Sequence, residues 1–145
     1  EKLFLERMQR GDVPPINGLH DMVARAARRH IPMAVASSAP RENVEIITGL
    51  YDLHHSIPHR FGLDDVELAK PAPDLFLKAA EAIGVPPGEC VVFEDSLYGF
   101  KAARKAGCRC VAILTLHTRE EVAGKVDVAA ETFADLLHSE EWREF

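Results

Sequence analysis

A chain of 145 residues, 47% hydrophobic and 28% charged, carries enough apolar material for one domain with a real core and is short for two. Its formal net charge of −6 is spread along the sequence, and Lys and Arg form no stripe or arm, which disfavours nucleic acid as a partner and favours a small metabolite. No apolar run approaches the roughly 18 to 20 residues of a membrane span and no signal peptide is visible, so a cytoplasmic protein without a membrane partner is expected, with organelle targeting left open by a start at Glu1.

The chain begins without methionine inside a helical pattern carried by Leu3, Phe4, Leu5 and Met8, which reads as a cut, not a natural terminus. Pro14 and Pro15 end that helix. Asn17 is the expected N-cap of the next one, whose apolar positions Leu19, Met22, Val23, Ala26 and Ala27 share a face. Ile31 to Ala36 reads as a strand, followed by a helix opened by Pro40 with Val44, Ile47 and Leu50 turned inward. His55 to Phe61 is a weaker strand, and an acidic loop follows at Asp64 and Asp65. Pro73 opens a helix that buries Leu75, Phe76, Ala79 and Ile83 and ends at Gly84. After a turn at Val85 to Gly88 come a strand from Cys90 to Phe93, a helix from Leu97 to Ala106, and a strand from Cys110 to Leu114. Thr118 and Glu121 have capping-box spacing, Val126 to Ala130 is a last strand, and Phe133 to Leu137 a closing helical turn.

The three cysteines, Cys90, Cys108 and Cys110, lie at or in apolar strands with no C-x-x-C spacing, and read as reduced core thiols. His54, His55 and His59 cluster without partners at zinc-site spacing and read as solvated loop residues.

Strands alternating with helices at this spacing indicate an α/β domain: a three-layer, Rossmann-like core with a mostly parallel sheet and right-handed crossovers. Ligands in such sheets bind outside the carboxyl ends of the strands. Ser37, Glu94 and Asp95 all fall there. Glu94 and Asp95 are hard oxygen donors that suit Mg2+, which retains waters and takes one or two protein carboxylates. Asp95 or Ser96 as a simple helix cap is the competing reading. Ser37, with Ser38 and nearby backbone N–H groups, can bind a phosphoryl oxygen, or Ser37 can merely cap a helix. Lys70 stands before Pro71, which holds its backbone extended. Arg41 and Asn43 are either substrate contacts or, as favoured here, a solvated helix surface.

These segments resemble the haloacid dehalogenase superfamily, its β-phosphoglucomutase-like branch in particular. Ala34-Val35-Ala36-Ser37-Ser38 resembles the second motif and Lys70-Pro71-Ala72-Pro73-Asp74-Leu75-Phe76 the third. Phe93-Glu94-Asp95-Ser96, with Gly99, Ala102, Ala103 and Ala106-Gly107, resembles the fourth. The likeness runs from about Pro15 to Leu137. It implies an aspartyl-phosphate mechanism in which Ser37 hydrogen-bonds the transferring phosphoryl group, Lys70 offsets its charge, Asp95 binds Mg2+, and Glu94 is a neighbouring ligand or supports one.

One element of the resemblance is missing. The family's nucleophile lies in a D-x-D-G-[TV] motif on a central first strand, and these 145 residues contain none; Asp64-Asp65 has the wrong spacing. Residues 1–13 are then expected to be the end of a helical cap or its linker, and 14–145 a core incomplete at its N-terminus, lacking the first strand and the cap. A sheet without its middle strand leaves two rows of unpaired backbone groups, so the chain alone is expected to be unstable and inactive, its partner being the missing N-terminal segment of the same protein. The expected function is a Mg2+-dependent phosphatase of small sugar-type phosphate monoesters. The alternatives are a β-phosphoglucomutase-like phosphomutase and a noncatalytic truncated binding protein.

Overall fold

The computed structural model describes residues 2–144. The supposed cut at Glu1 lies outside them. Seven helices and five strands are found among the described residues: α1 Lys2–Gln9, α2 Leu19–Arg28, β1 Ala34–Ala36, α3 Arg41–Leu50, β2 His59–Phe61, α4 Asp74–Ile83, β3 Val91–Glu94, α5 Leu97–Ala106, β4 Arg109–Ile113, α6 Arg119–Val122, β5 Val128–Ala130 and α7 Phe133–His138. No helix among the described residues is long and apolar enough to cross a membrane.

The strands form two parallel sheets. One pairs β1 with β2, placing Ala36 beside Phe61, and the other runs β3-β4-β5, placing Glu94 beside Ala112 and Ile113 beside Ala130. Helix α4 lies across both, touching β1, β2 and α5. Side chains alternate about the larger sheet as strand geometry requires. Val92, Cys110 and Ala112 pack with Phe76 of α4, with Phe100, Ala102, Ala103 and Ala106 of α5 and with Val122 of α6. Val111, Ile113 and Ala130 face the other way, onto Met22 of α2 and Phe133 and Leu136 of α7. Phe93 extends that second core, its ring 5.4 Å from Phe133 and 5.6 Å from Trp142. Helices on both faces of a parallel sheet make the three-layer α/β fold expected from the alternation. The alanines of α5 allow its backbone to lie close on β3 and β4.

Several local expectations are corrected. The cap of α2 is Gly18, not Asn17: Gly18 adopts φ +82°, and a Cβ there would lie 2.2 Å from the Ala134 backbone nitrogen. A side chain at this position would drive α2 off α7, while the Asn17 carbonyl accepts the Ala134 N–H at 3.1 Å. Leu50 is 47% exposed and Ile47 half-buried; the buried positions of α3 are Val44 and Thr48, whose hydroxyl donates to the Val44 carbonyl. Ile83 is half-buried, at the last turn of α4. The strand expected from Ile31 pairs only over Ala34–Ala36 and the one expected from His55 only over His59–Phe61. Cys110 is buried, whereas Cys90 and Cys108 are half-buried at the opposite end of the sheet from Glu94; burial pushes the Cys108 thiol up to about 11 and Cys110 up to about 12, so neither is a ready thiolate.

Candidate active site

Each sheet is parallel within itself, and one side chain, Lys70, reaches the last residues of both β1 and β3, which Ser37 and Asp95 follow directly. Ser37 continues the ladder, its N–H donating to the Phe61 carbonyl at 3.0 Å, while its hydroxyl accepts the Ala39 N–H at 3.1 Å. The hydroxyl is thereby fixed at the strand end. Ser38 is exposed on the turn that follows. Lys70 arrives from the loop before α4, through a cis Lys70–Pro71 peptide, and lies over the Phe76 ring with Nζ 4.6 Å from its centroid.

Lys70 joins the two sheet edges. Its Nζ donates to the Ala36 carbonyl at 3.1 Å and to Glu94 Oε2 at 2.7 Å. The side chains of this ion pair are 7% and 9% exposed, so both charges are effectively out of water. The other carboxylate oxygen, Glu94 Oε1, accepts the Asp95 N–H at 2.9 Å, the Ser96 N–H at 3.0 Å and the Ser96 hydroxyl at 3.0 Å. Burial alone would raise the Glu94 carboxyl, but the Lys70 ammonium and these N–H groups outweigh it and hold the carboxyl below its ordinary value. Asp95 is pushed the other way. Its burial and its contact with Glu94 raise its carboxyl, opposed by the Thr115 hydroxyl, which donates to Oδ2 at 2.9 Å. The two adjacent carboxyls are thus held in opposite directions.

Ser96 does cap α5, its hydroxyl accepting the Gly99 N–H at 3.0 Å. The glycine has a further role. A Cβ on Gly99 would lie 1.9 Å from Glu94 Cδ, so Glu94 can fold over the first turn of α5 only because position 99 is bare. The obstructing atoms belong to a side chain, so Gly99→Ala is expected to displace Glu94 from Lys70 and leave the helix intact. In the longest reading frame that contains this chain, the expected loss in turnover is about 10- to 100-fold, the range for disturbing groups that orient a site residue. Steady-state kinetics with a far-ultraviolet circular dichroism control checks this, and full turnover in the variant would show that the Lys70–Glu94 contact is dispensable.

Of the residues singled out by sequence, Ser37, Lys70, Glu94 and Asp95 are gathered at one edge. Arg41 is held elsewhere. Its guanidinium pairs with Asp65 at 2.8 Å, and its N–H at the start of α3 donates to Asp64 Oδ2 at 2.7 Å. The acidic loop thus caps α3, and the Gly62 N–H, followed by Arg41, keeps the Asp65 carboxyl below its ordinary value against its burial. Thr115 has no counterpart in the sequence reading, because a threonine after a strand carries no distinguishing pattern.

Among the described residues no group of three or more His, Cys, Asp and Glu side chains is placed to hold a metal ion, so this edge offers at most part of a Mg2+ shell. Asp95 is the hard carboxylate that suits the ion, whereas both oxygens of Glu94, expected as a neighbouring ligand, are already engaged, Oε2 with Lys70 and Oε1 with the Asp95 and Ser96 N–H groups and the Ser96 hydroxyl, so Glu94 supports the edge more than it offers a ligand.

Comparison with known proteins agrees with this geometry. Residues 2–113 match the haloacid dehalogenase-like hydrolase family, and the chain belongs to it. It is 34% identical over 137 residues to the protein CbbY of Cereibacter sphaeroides, covering 92% of this chain and 59% of that protein. Over 85 residues it is 40% identical to the fructose-1-phosphate phosphatase YqaB of Escherichia coli, covering 59% of this chain and 45% of that protein. The crystal structure of CbbY from Rhodobacter sphaeroides in complex with phosphate superposes with a TM-score of 0.83 at 32% identity, over 92% of this chain and 60% of that one. The chain thus spans about three-fifths of the length of CbbY, or less of the other relative.

Proposed function

We propose that this chain is the greater part of the catalytic core of a Mg2+-dependent phosphatase of small, sugar-type phosphate monoesters. The observation that carries the reading is the Lys70 ammonium, fixed between the Ala36 carbonyl and Glu94 at the edge where Ser37 and Asp95 also stand. That is a positive and a hydrogen-bonding group beside a candidate cation site. The relatives support the substrate class: one is a fructose-1-phosphate phosphatase, and CbbY has been crystallised with phosphate and with xylulose-1,5-bisphosphate.

In this reading Ser37, with the backbone N–H groups of its turn, orients the phosphoryl oxygens. Lys70 stabilises the charge that they gather in the transition state, and Glu94 holds Lys70 in place. Asp95, with Glu94 beside it, would hold Mg2+, which supplies Lewis-acid polarisation of the phosphoryl group when bound. The attacking carboxylate, an aspartate that becomes transiently phosphorylated, comes from a segment outside these 145 residues. The absence of a D-x-D-G-[TV] motif supports this, as does a β1 edge and a β3 edge that do not pair with each other among the described residues. The chain by itself is then inactive.

Phosphate release from fructose 1-phosphate, other sugar phosphates, nucleotides and phosphopeptides tests the substrate class. It is measured for this chain and for the longest open reading frame that contains it. The expected result is release by the longer form alone, with sugar phosphates preferred by about tenfold or more in kcat/KM. Turnover of nucleotides or phosphopeptides ahead of sugar phosphates would contradict the substrate class, and turnover by this chain alone would contradict the external nucleophile.

A further inference from the structure

The chain turns sharply just past the end of β4. Glu94 lies beside Ala112, so Asp95 is one step beyond the last β3 residue and Thr115 is two residues past the end of β4. The Leu114 N–H still continues the ladder, donating to the Ala130 carbonyl at 2.9 Å, and the Thr115 N–H then bends back onto the Ile113 carbonyl at 2.9 Å. That tight turn brings the Thr115 hydroxyl to Asp95 Oδ2, 2.9 Å away and across 20 residues of sequence. Thr115 is exposed and lies in neither hydrophobic cluster of the larger sheet, so packing does not account for its position.

We propose that Thr115 is a positioning residue for Asp95: its hydroxyl donates to one carboxylate oxygen and fixes the orientation in which Asp95 meets a divalent cation. The proposal rests on the cation-site reading above. It follows from the chemistry of the pair. A carboxylate beside Glu94, free to rotate, can turn toward any local donor, and a neutral hydroxyl fixes it without bringing a competing positive charge into the site. Groups that orient metal ligands in this way are worth one to two orders of magnitude in affinity.

The test uses Thr115→Val, which keeps the shape and removes the hydroxyl, and Thr115→Ser, which restores it, in the longest reading frame that contains this chain. Mg2+ affinity is read by isothermal titration calorimetry without substrate, beside an Asp95→Asn control. The expected result is an affinity about tenfold or more weaker in Thr115→Val. Thr115→Ser should return close to wild type, and thermal midpoints measured without Mg2+ should change little because the site is exposed. Equal affinity in wild type and Thr115→Val, with Asp95→Asn losing it, overturns the proposal and leaves the cation site standing. A Thr115→Ser protein as weak as the valine variant also overturns it, since the hydroxyl would then not be the acting group. Absence of Mg2+ binding in the wild type removes the cation site and this proposal with it.

Discussion

Lys70→Ala is expected to lower folding stability by about 3–5 kcal/mol, the range for removing one partner of a buried ion pair. The magnitude follows from burial: both side chains are almost fully out of water, so the substitution leaves Glu94 charged in a site that no longer compensates it. Its pH dependence carries a definite sign. In the wild type the Glu94 carboxyl is held below its ordinary value of 4.5, so the unfolded chain binds that proton more readily than the native one. The stability it contributes is present above the unfolded value and lost as pH falls through the folded one. Without Lys70, burial is opposed only by the Asp95 and Ser96 N–H groups, so the carboxyl should move up and the variant should lose less stability than wild type as pH falls. Urea unfolding of both proteins from neutral pH down through the carboxylate range checks this. A variant as stable as wild type at neutral pH would show that the pair is not buried as described. In the longest reading frame that contains this chain, turnover should fall through kcat more than through KM, since Lys70 is assigned to transition-state charge; a change confined to KM would remove that role.

Asp95→Asn is expected to do the opposite to the fold while removing function. The Asp95 carboxyl is raised above its ordinary value of 3.8 by burial and by Glu94, with Thr115 opposing. What it contributes to stability is therefore full below the unfolded value and lost as pH rises through the folded one. At neutral pH and without Mg2+ the ionised carboxylate is a burden on the native state. A neutral asparagine of the same shape relieves it and can still accept the Thr115 hydroxyl. The thermal midpoint without Mg2+ should rise, the further rise on adding Mg2+ should disappear, and turnover should fall by about a thousandfold, or ~4 kcal/mol of barrier. A lower midpoint with turnover retained would take Asp95 out of the cation site. Stability surrendered for charge at a working site is a common pattern.

The parts of the fold that could be read from sequence are those where a local signal and the tertiary structure agree. Helix α5 has the bounds expected, Leu97 to Ala106, because Ser96 caps one end, Gly107 ends the other and the alanines between them face β3 and β4. Thr118 and Glu121 form their capping box because that bond is entirely local. Asn17 failed as a cap because the neighbour that decides the matter, Ala134, is remote in sequence and leaves room only for a glycine at the next position. The site divides in the same way. Ser37, Lys70, Glu94 and Asp95 are legible because strand ends converge on one edge and because their motifs resemble a known family. Gly99 stood in the same motif, but its reason, a 1.9 Å conflict with Glu94, exists only in three dimensions. Thr115 and the capping of α3 by Asp64 and Asp65 depend on contacts across 20 or more residues, and no spacing rule announces them.

The most direct test is release of phosphate from fructose 1-phosphate by the longest reading frame that contains this chain, assayed with Mg2+, with excess chelator, and again in Asp95→Asn. Release that needs Mg2+, ceases with chelator and is lost in the variant is the expected result. Release that is indifferent to chelator, or that survives Asp95→Asn at wild-type rate, would contradict a phosphoryl-transfer site built on Asp95, Glu94 and Lys70.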